Sequence, residues 1–125
     1  MIKQIKSSEI KNFINTNKNI ELLDVRTQDE WDNVGRPDGE NLGLKTYFIT
    51  IVRSPDPEAN REFIEEVKKL IDSNKELLVM CKAGGRSMMA SQLLSQEKIN
   101  CINISDGFEG NGNDPGWKNE GLPSK

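Results

Sequence analysis

Two rhythms alternate along the chain. Short apolar runs are interleaved with stretches in which apolar residues recur every three or four positions, the signatures of strand and helix. The runs predict an edge strand at residues 3–6 and buried strands at 20–25 and 77–80. A β-former-rich strand is predicted at 47–52, from Tyr47 through Val52, and a last short strand at 101–104. The helical stretches begin with one over residues 9–15, capped by Ser7 or Ser8, with Ile10, Phe13 and Ile14 as its apolar stripe. Thr27-Gln28-Asp29-Glu30 fits a capping box, so a short helix carrying Trp31 and Val34 starts there. Asp56-Pro57 reads as an N-cap followed by proline at the first helical position. That helix should run to about Ile71, with Phe63, Ile64, Val67, Leu70 and Ile71 facing inward. A further helix should span Arg86 to about Glu97, with Met89, Ala90, Leu93 and Leu94 inward and the methionines serving as core filler. Gly35-Arg36-Pro37-Asp38-Gly39 is turn chemistry. The tail from Asp106 is rich in Gly, Asn and Pro; it should wrap the domain, with one helical turn at Gly116-Trp117-Lys118-Asn119.

Strands alternating with helices predict an α/β fold with a largely parallel sheet. No internal repeat or low-complexity segment interrupts the alternation. The 125 residues match the size of one domain, here taken as residues 1–125, and suffice for a core without disulfide staples.

Composition then narrows the chemistry. The net charge of −3 and the dispersed lysines of the first twenty positions give no basic stripe for nucleic acid. No apolar run approaches the roughly 20 residues that span a bilayer, and the N-terminus has no signal-peptide core. The expectation is therefore a cytosolic protein that binds neither nucleic acid nor membrane. Two cysteines do not make a disulfide scaffold, and there is no histidine. Cys-His and Ser-His-Asp catalysis and nearly every zinc hydrolase site are thereby excluded, and neither a metal nor a cofactor is expected.

The chemistry concentrates where the strand at 77–80 ends in Cys81-Lys82-Ala83-Gly84-Gly85-Arg86-Ser87. Ligand sites of open α/β sheets lie at the carboxyl ends of strands. A helix start with free N–H groups follows Cys81, the paired glycines let successive amides curl into one concavity, and Lys82 and Arg86 add positive charge. An unperturbed cysteine, with a pKa of about 8.5, is only a few per cent thiolate at neutral pH. Making the thiolate the major form takes a drop of about 2 units, or roughly 2.7 kcal/mol of preorganised electrostatics. A persulfide suits the same cradle, and a small anion such as thiosulfate is drawn in by the two cations. The alternative is an inert buried cysteine at a strand end. Cys101, at the start of the last strand, should be structural. If the strands are parallel it lies at the opposite pole, roughly 16 Å away, beyond disulfide reach.

The loop from Cys81 to Ser87 resembles the active-site loop of rhodanese domains. Leu22-Leu23-Asp24-Val25-Arg26 followed by Glu30-Trp31 is similar to that family's first marker. Gly35, Pro37, Gly39 and Asn41 resemble its second, and Gly107-Phe108-Glu109 with Trp117 and Gly121-Leu122-Pro123 its C-terminal one. The resemblance implies a three-layer fold, a five-stranded, mostly parallel sheet with helices on both faces. It implies a sulfurtransferase in which Cys81 takes a sulfane sulfur from a thiosulfate-like donor and passes it to a thiophile, a thiol or a protein acceptor. By position, Lys82, Ala83, Gly84, Gly85, Arg86 and Ser87 would bind the anionic sulfur or the donor, and Asp24 and Arg26 would buttress the loop. Arg36 stands where the family usually has histidine, and residues 42–48 depart from the common pattern.

Two rivals remain at this point. Cysteine-dependent phosphatases and arsenate reductases share the fold but place five residues between cysteine and arginine, where this chain has four. A binding or regulatory module without turnover is the other.

Overall fold

The strands of a parallel sheet covered on both faces must be apolar on both sides, so they read as unbroken runs rather than alternations. Leu77-Leu78-Val79-Met80 of Glu76–Met80 is such a run, and Ile20–Asp24 is buried throughout although Glu21 and Asp24 stand among its apolar residues; the two are adjacent inner strands of the sheet. The structure, a computed structural model, describes residues 2–53, 58–72 and 74–125. Its strands are β1 (Lys3–Ile5), β2 (Ile20–Asp24), β3 (Thr46–Phe48), β4 (Val52–Arg53), β5 (Glu58–Ala59), β6 (Glu76–Met80) and β7 (Cys101–Ile104). Its helices are α1 (Ile10–Thr16), α2 (Gln28–Asn33), α3 (Phe63–Leu70), α4 (Gly85–Gln96) and α5 (Gly116–Asn119). Five strands form one sheet in the order β1-β7-β6-β2-β3, with every pairing parallel. The expected α/β sheet with helices on both faces is therefore the observed one.

Side-chain alternation splits the core in two. Leu23, Leu77 and Val79 face the layer of α3 and α4, where they pack with Phe63, Val67, Ala90 and Leu94. Leu22, Leu78 and Met80 face the opposite layer, with Ile10 of α1 and with Phe108, Trp117 and Leu122 from the tail. The tail thus wraps the domain as expected and supplies a large part of one core. Cys81 continues the β6 alternation onto the α3/α4 side.

Several local expectations differ from the observed structure, each for a physical reason. The strand expected over 47–52 stops at Phe48; Ile49 and Ile51 donate amides to Asp24 and Val25 oxygens, and the chain then turns into the antiparallel β4–β5 pair. That pair displaces the expected helix start. Asp56 and Pro57 lie outside the described residues, Glu58–Ala59 is strand, and α3 begins only at Phe63, where Asn60 Oδ1 accepts the Glu62 amide at 3.1 Å. The first helix begins at Ile10 after a 3-10 turn over Ser7–Glu9, and Ser7 serves a distant partner rather than a cap.

The faces of two helices also differ. Leu70 is 58% exposed, Met89 41% and Leu93 38%, so none of the three is core. The inward stripe of α4 is Ser87, Ala90, Ser91 and Leu94. Two serines lie buried because their hydroxyls find acceptors locally, Ser91 Oγ on the Ser87 carbonyl at 2.8 Å; apolar identity alone misplaced the face. Among the described residues, no helix is long and apolar enough to cross a membrane.

One buried carboxylate ties the ends of the chain together. Asp106, just after β7, accepts the Ser7 amide and the Ser7 hydroxyl, both at 3.0 Å, on one oxygen and the Gly116 amide at 3.0 Å on the other. Asp106→Ala leaves three buried donors without an acceptor and should cost about 3 kcal/mol. Chemical denaturation with unchanged slope is the measurement, and a loss below about 1 kcal/mol contradicts this role.

Candidate active site

Cys81 follows the last residue of β6, and the chain leaves the sheet there through a turn that only glycine can make. Gly84 has φ +105° and caps α4, and a Cβ on it would lie 2.3 Å from the Ser105 carbonyl oxygen. Gly107, at φ +59°, lies equally close to the other side of the loop, where a Cβ would meet the Lys82 and Cys81 carbonyl oxygens at 2.4 and 2.6 Å. This close approach lets the segment after β7 pair with the loop: the Phe108 amide donates to the Cys81 carbonyl at 2.8 Å and the Glu109 amide to that of Lys82 at 3.0 Å.

The loop so held aims two donors at one sulfur. The Gly84 amide is 3.1 Å from Cys81 Sγ, and the Ser87 hydroxyl is 3.2 Å from it. Cys81 is 1% exposed, whereas Lys82, Ala83 and Gly85 around it are exposed. The first amides of α4 have no intrahelical acceptors, so their dipoles also favour negative charge here.

The structure gives the two loop cations different roles. Lys82 is solvent-exposed. Arg86 forms a two-pronged pair with Glu30 of α2, Nη1 to Oε1 at 2.7 Å and Nη2 to Oε2 at 2.8 Å. The bond to Glu30, with the charge of Glu30 and then of Asp24 adding to it, raises the guanidinium above its ordinary value against the cost of its burial. Glu30 is also the capping-box partner of Thr27, accepting its amide at 3.1 Å. A residue read from sequence as a helix cap is therefore also the clamp between α2 and the start of α4.

Asp24 and Arg26 are fully buried and paired, with Nη2 at 2.8 Å from Oδ2 and the Arg26 amide at 3.0 Å from Oδ1. Arg26 Nη2 also donates to the Gly35 carbonyl at 2.8 Å, and its guanidinium lies 4.3 Å from the centre of the Phe108 ring. The pair reaches the loop through Phe108, whose backbone holds the Cys81 carbonyl. At the same end of the sheet, Arg36 lies 5.6 Å over the Phe48 ring, which meets Trp31 edge-on at 5.4 Å.

Cys101 lies elsewhere. It is the partner of Leu77 at the start of β6, at the opposite end of the sheet from Cys81. Burial, with the charge of Glu76 adding to it, pushes its thiol up to about 12.

Asn103 of β7 was given no role by its sequence. It is buried, and its amide bonds both the Ser87 hydroxyl and the Gly84 carbonyl. The one available signal was a polar residue set between Ile102 and Ile104 in an otherwise apolar strand.

A family model described as rhodanese-like domain matches residues 7–113. The chain belongs to the rhodanese-like family. It is 37% identical over 124 residues to an uncharacterized protein of Rickettsia prowazekii, covering 98% of this chain and 97% of that one. It is 29% identical over 89 residues to thiosulfate sulfurtransferase 18 of Arabidopsis thaliana, covering 70% of this chain and 63% of that protein. The crystal structure of a protein from M. tuberculosis superposes with a TM-score of 0.86 at 28% identity, covering 98% of this chain and 96% of that one. The rhodanese-like fold thus extends over the loop and the elements that clamp it.

The Glu30–Arg86 clamp has a pH signature. Burial pushes the Glu30 carboxyl up, but bonds from Arg86 and Thr27 outweigh it and hold the group at about 2 instead of 4.5. A carboxyl depressed on folding contributes stability above its unfolded value and loses it as pH falls through the folded one. The clamp should therefore be complete above about pH 4.5 and lost between there and about pH 2. Glu30→Gln should cost about 1–2 kcal/mol near neutral pH, after allowance for solvent screening, and flatten that acid limb. Denaturation midpoints measured from pH 2 to 7 check both; a variant with the unaltered pH profile contradicts the assignment.

Proposed function

We propose that this rhodanese-like domain, taken as residues 1–125, is a sulfurtransferase that carries sulfur as a persulfide on Cys81. The observation that carries the reading is the pair of donors on Cys81 Sγ, the Gly84 amide and the Ser87 hydroxyl, at the start of α4. Two hydrogen bonds and a helix start favour a charged sulfur where water is largely excluded. The sulfurtransferase name of the Arabidopsis relative supports the same chemistry.

In the first half-reaction the Cys81 thiolate attacks the outer sulfur of a thiosulfate-like donor. A bond forms between Sγ and that sulfur, the donor's S–S bond breaks, and sulfite leaves with the electron pair. The charge now sits on the outer persulfide sulfur. In the second half-reaction an acceptor thiol, small or on a protein, passes its proton to that outer sulfur and attacks it; a bond forms between the two sulfurs, the bond to Sγ breaks, and Cys81 leaves as the thiolate. No proton must be delivered to either leaving group, which fits a site without histidine. Lys82, exposed at the mouth, meets the donor's anionic oxygens, with Ala83 and Gly85 lining the approach. Arg86 sets the field at the sulfur while bound to Glu30. Asp24 and Arg26 act through Phe108 as supports. The setting that fits this chemistry is the reducing cytoplasm.

A phosphatase is disfavoured by Arg86: the side chain that would clasp a phosphate is already held by a carboxylate at both terminal nitrogens, Nη1 and Nη2. Mass spectrometry after incubation with thiosulfate tests the proposal. The chain should gain one sulfur atom that cyanide removes, Cys81→Ser should gain none, and Cys101→Ser should load normally. An unloaded wild-type protein would favour the binding module, and turnover of an aryl phosphate would favour the phosphatase.

A further inference from the structure

The Ser87 hydroxyl has one proton and three acceptors within reach. Asn103 Oδ1 is at 2.5 Å, Cys81 Sγ at 3.2 Å and the Gly84 carbonyl at 3.2 Å. The Gly84 carbonyl is already served by Asn103 Nδ2 at 3.2 Å and by the Met88 amide at 3.1 Å. Asn103 Nδ2 also donates to Gln4 Oε1 at 3.1 Å, so the amide is oriented with its oxygen towards Ser87. The proton therefore divides between the sulfur and Asn103.

We propose that Asn103 is a positioning residue for the sulfur chemistry: its amide oxygen competes with Cys81 Sγ for the single Ser87 proton. The proposal rests on the sulfur-carrier reading for its purpose, though not for its geometry. In the thiol state the S–H donates to Ser87 Oγ, and the Ser87 hydroxyl donates to Asn103. On ionisation the hydroxyl turns to the charged sulfur, and Asn103 Oδ1 gives up its donor. Once the persulfide forms, the charge moves to the outer sulfur, Sγ becomes a weak acceptor, and the proton returns to Asn103. The thiolate is thus the one state in which Asn103 is left unserved. Asn103 keeps the thiolate from being over-stabilised, which preserves its nucleophilicity and favours passage to the persulfide.

The path of the loop does not require this amide. Gly84 is packed against the Ser105 backbone, and the Cys81 and Lys82 carbonyls are held by Phe108 and Glu109. The charged groups on the elements around the sulfur are Lys82 and Arg86 on its own loop and helix, Asp24 at the end of β2 and Arg26 just beyond it, Glu30 on α2, Glu65, Glu66, Lys68 and Lys69 on α3, and Asp106 and Glu109 after β7. None of them is altered in the variants below, so their effects cancel in a double-mutant cycle.

The test is the pKa of the Cys81 thiol, read from the pH dependence of its alkylation by iodoacetamide and assigned by peptide mass in the full chain. Ser87→Ala removes a donor and should raise that pKa. Asn103→Val releases the Ser87 proton to the sulfur and should lower it by about half a unit. In the Ser87→Ala background, Asn103→Val should leave it unmoved. A shift of the same size with and without the Ser87 hydroxyl, a shift upward, or no shift at all overturns the proposal. Asn103→Ala serves in place of Asn103→Val should thermal melting show the latter unfolded. Sulfur loading is measured separately: an unloaded wild-type protein overturns the carrier reading, while the thiol titration still decides the role of Asn103.

Discussion

The main-chain pairing between the loop after β6 and the segment after β7 is the interaction on which the site depends. Two amides, from Phe108 and Glu109, hold the carbonyls of Cys81 and Lys82, and the loop so held turns its Gly84 amide to the sulfur. Such close backbone contact is possible only without side chains at Gly84 and Gly107, both at positive φ. Beneath it lies the buried Asp24–Arg26 pair, with the guanidinium against the Phe108 ring. Removing either member would leave the other charge buried and unpaired, so the support is all-or-none.

The electrostatics of the site come more from neutral donors than from side-chain charge. Arg86, the cation nearest in sequence to the helix start, is balanced by Glu30, and Lys82 stands in solvent. What faces Cys81 Sγ is an amide and a hydroxyl. For the proposed sulfur-transfer cycle, a fixed dipole such as the Gly84 amide suits a charge that moves one bond outward and back, because it needs no rearrangement of a counterion. The Ser87 hydroxyl is the donor proposed to turn between the sulfur and Asn103 Oδ1, both of which it reaches.

The sheet, the capping box at Thr27 and Glu30, the cysteine at the strand's end and the glycine turn were legible in the sequence, because each is written in neighbouring residues. The start of α3 was not: the helix was expected from Asp56, but Glu58–Ala59 pairs with Val52–Arg53 and α3 begins only at Phe63. Nor was the inward face of α4. Leu93 and Met89 look like core by apolarity, yet the helix turns Ser87 and Ser91 inward to serve the loop and its own backbone. Packing across the core turns Ala90 and Leu94 inward, and the same face of the helix brings Ser87 to the sulfur.

By itself, then, the sequence determined a largely parallel α/β sheet with a cysteine at the carboxyl end of a buried strand, ahead of a helix start. Local propensity, period and turn chemistry suffice for that. Tertiary structure alone decided that Arg86 would meet Glu30, 56 positions away, and that Ser87 would meet Asn103, 16 positions away. Those meetings depend on strand order and helix rotation, which are set by packing across the whole core and leave no mark in any short window of residues.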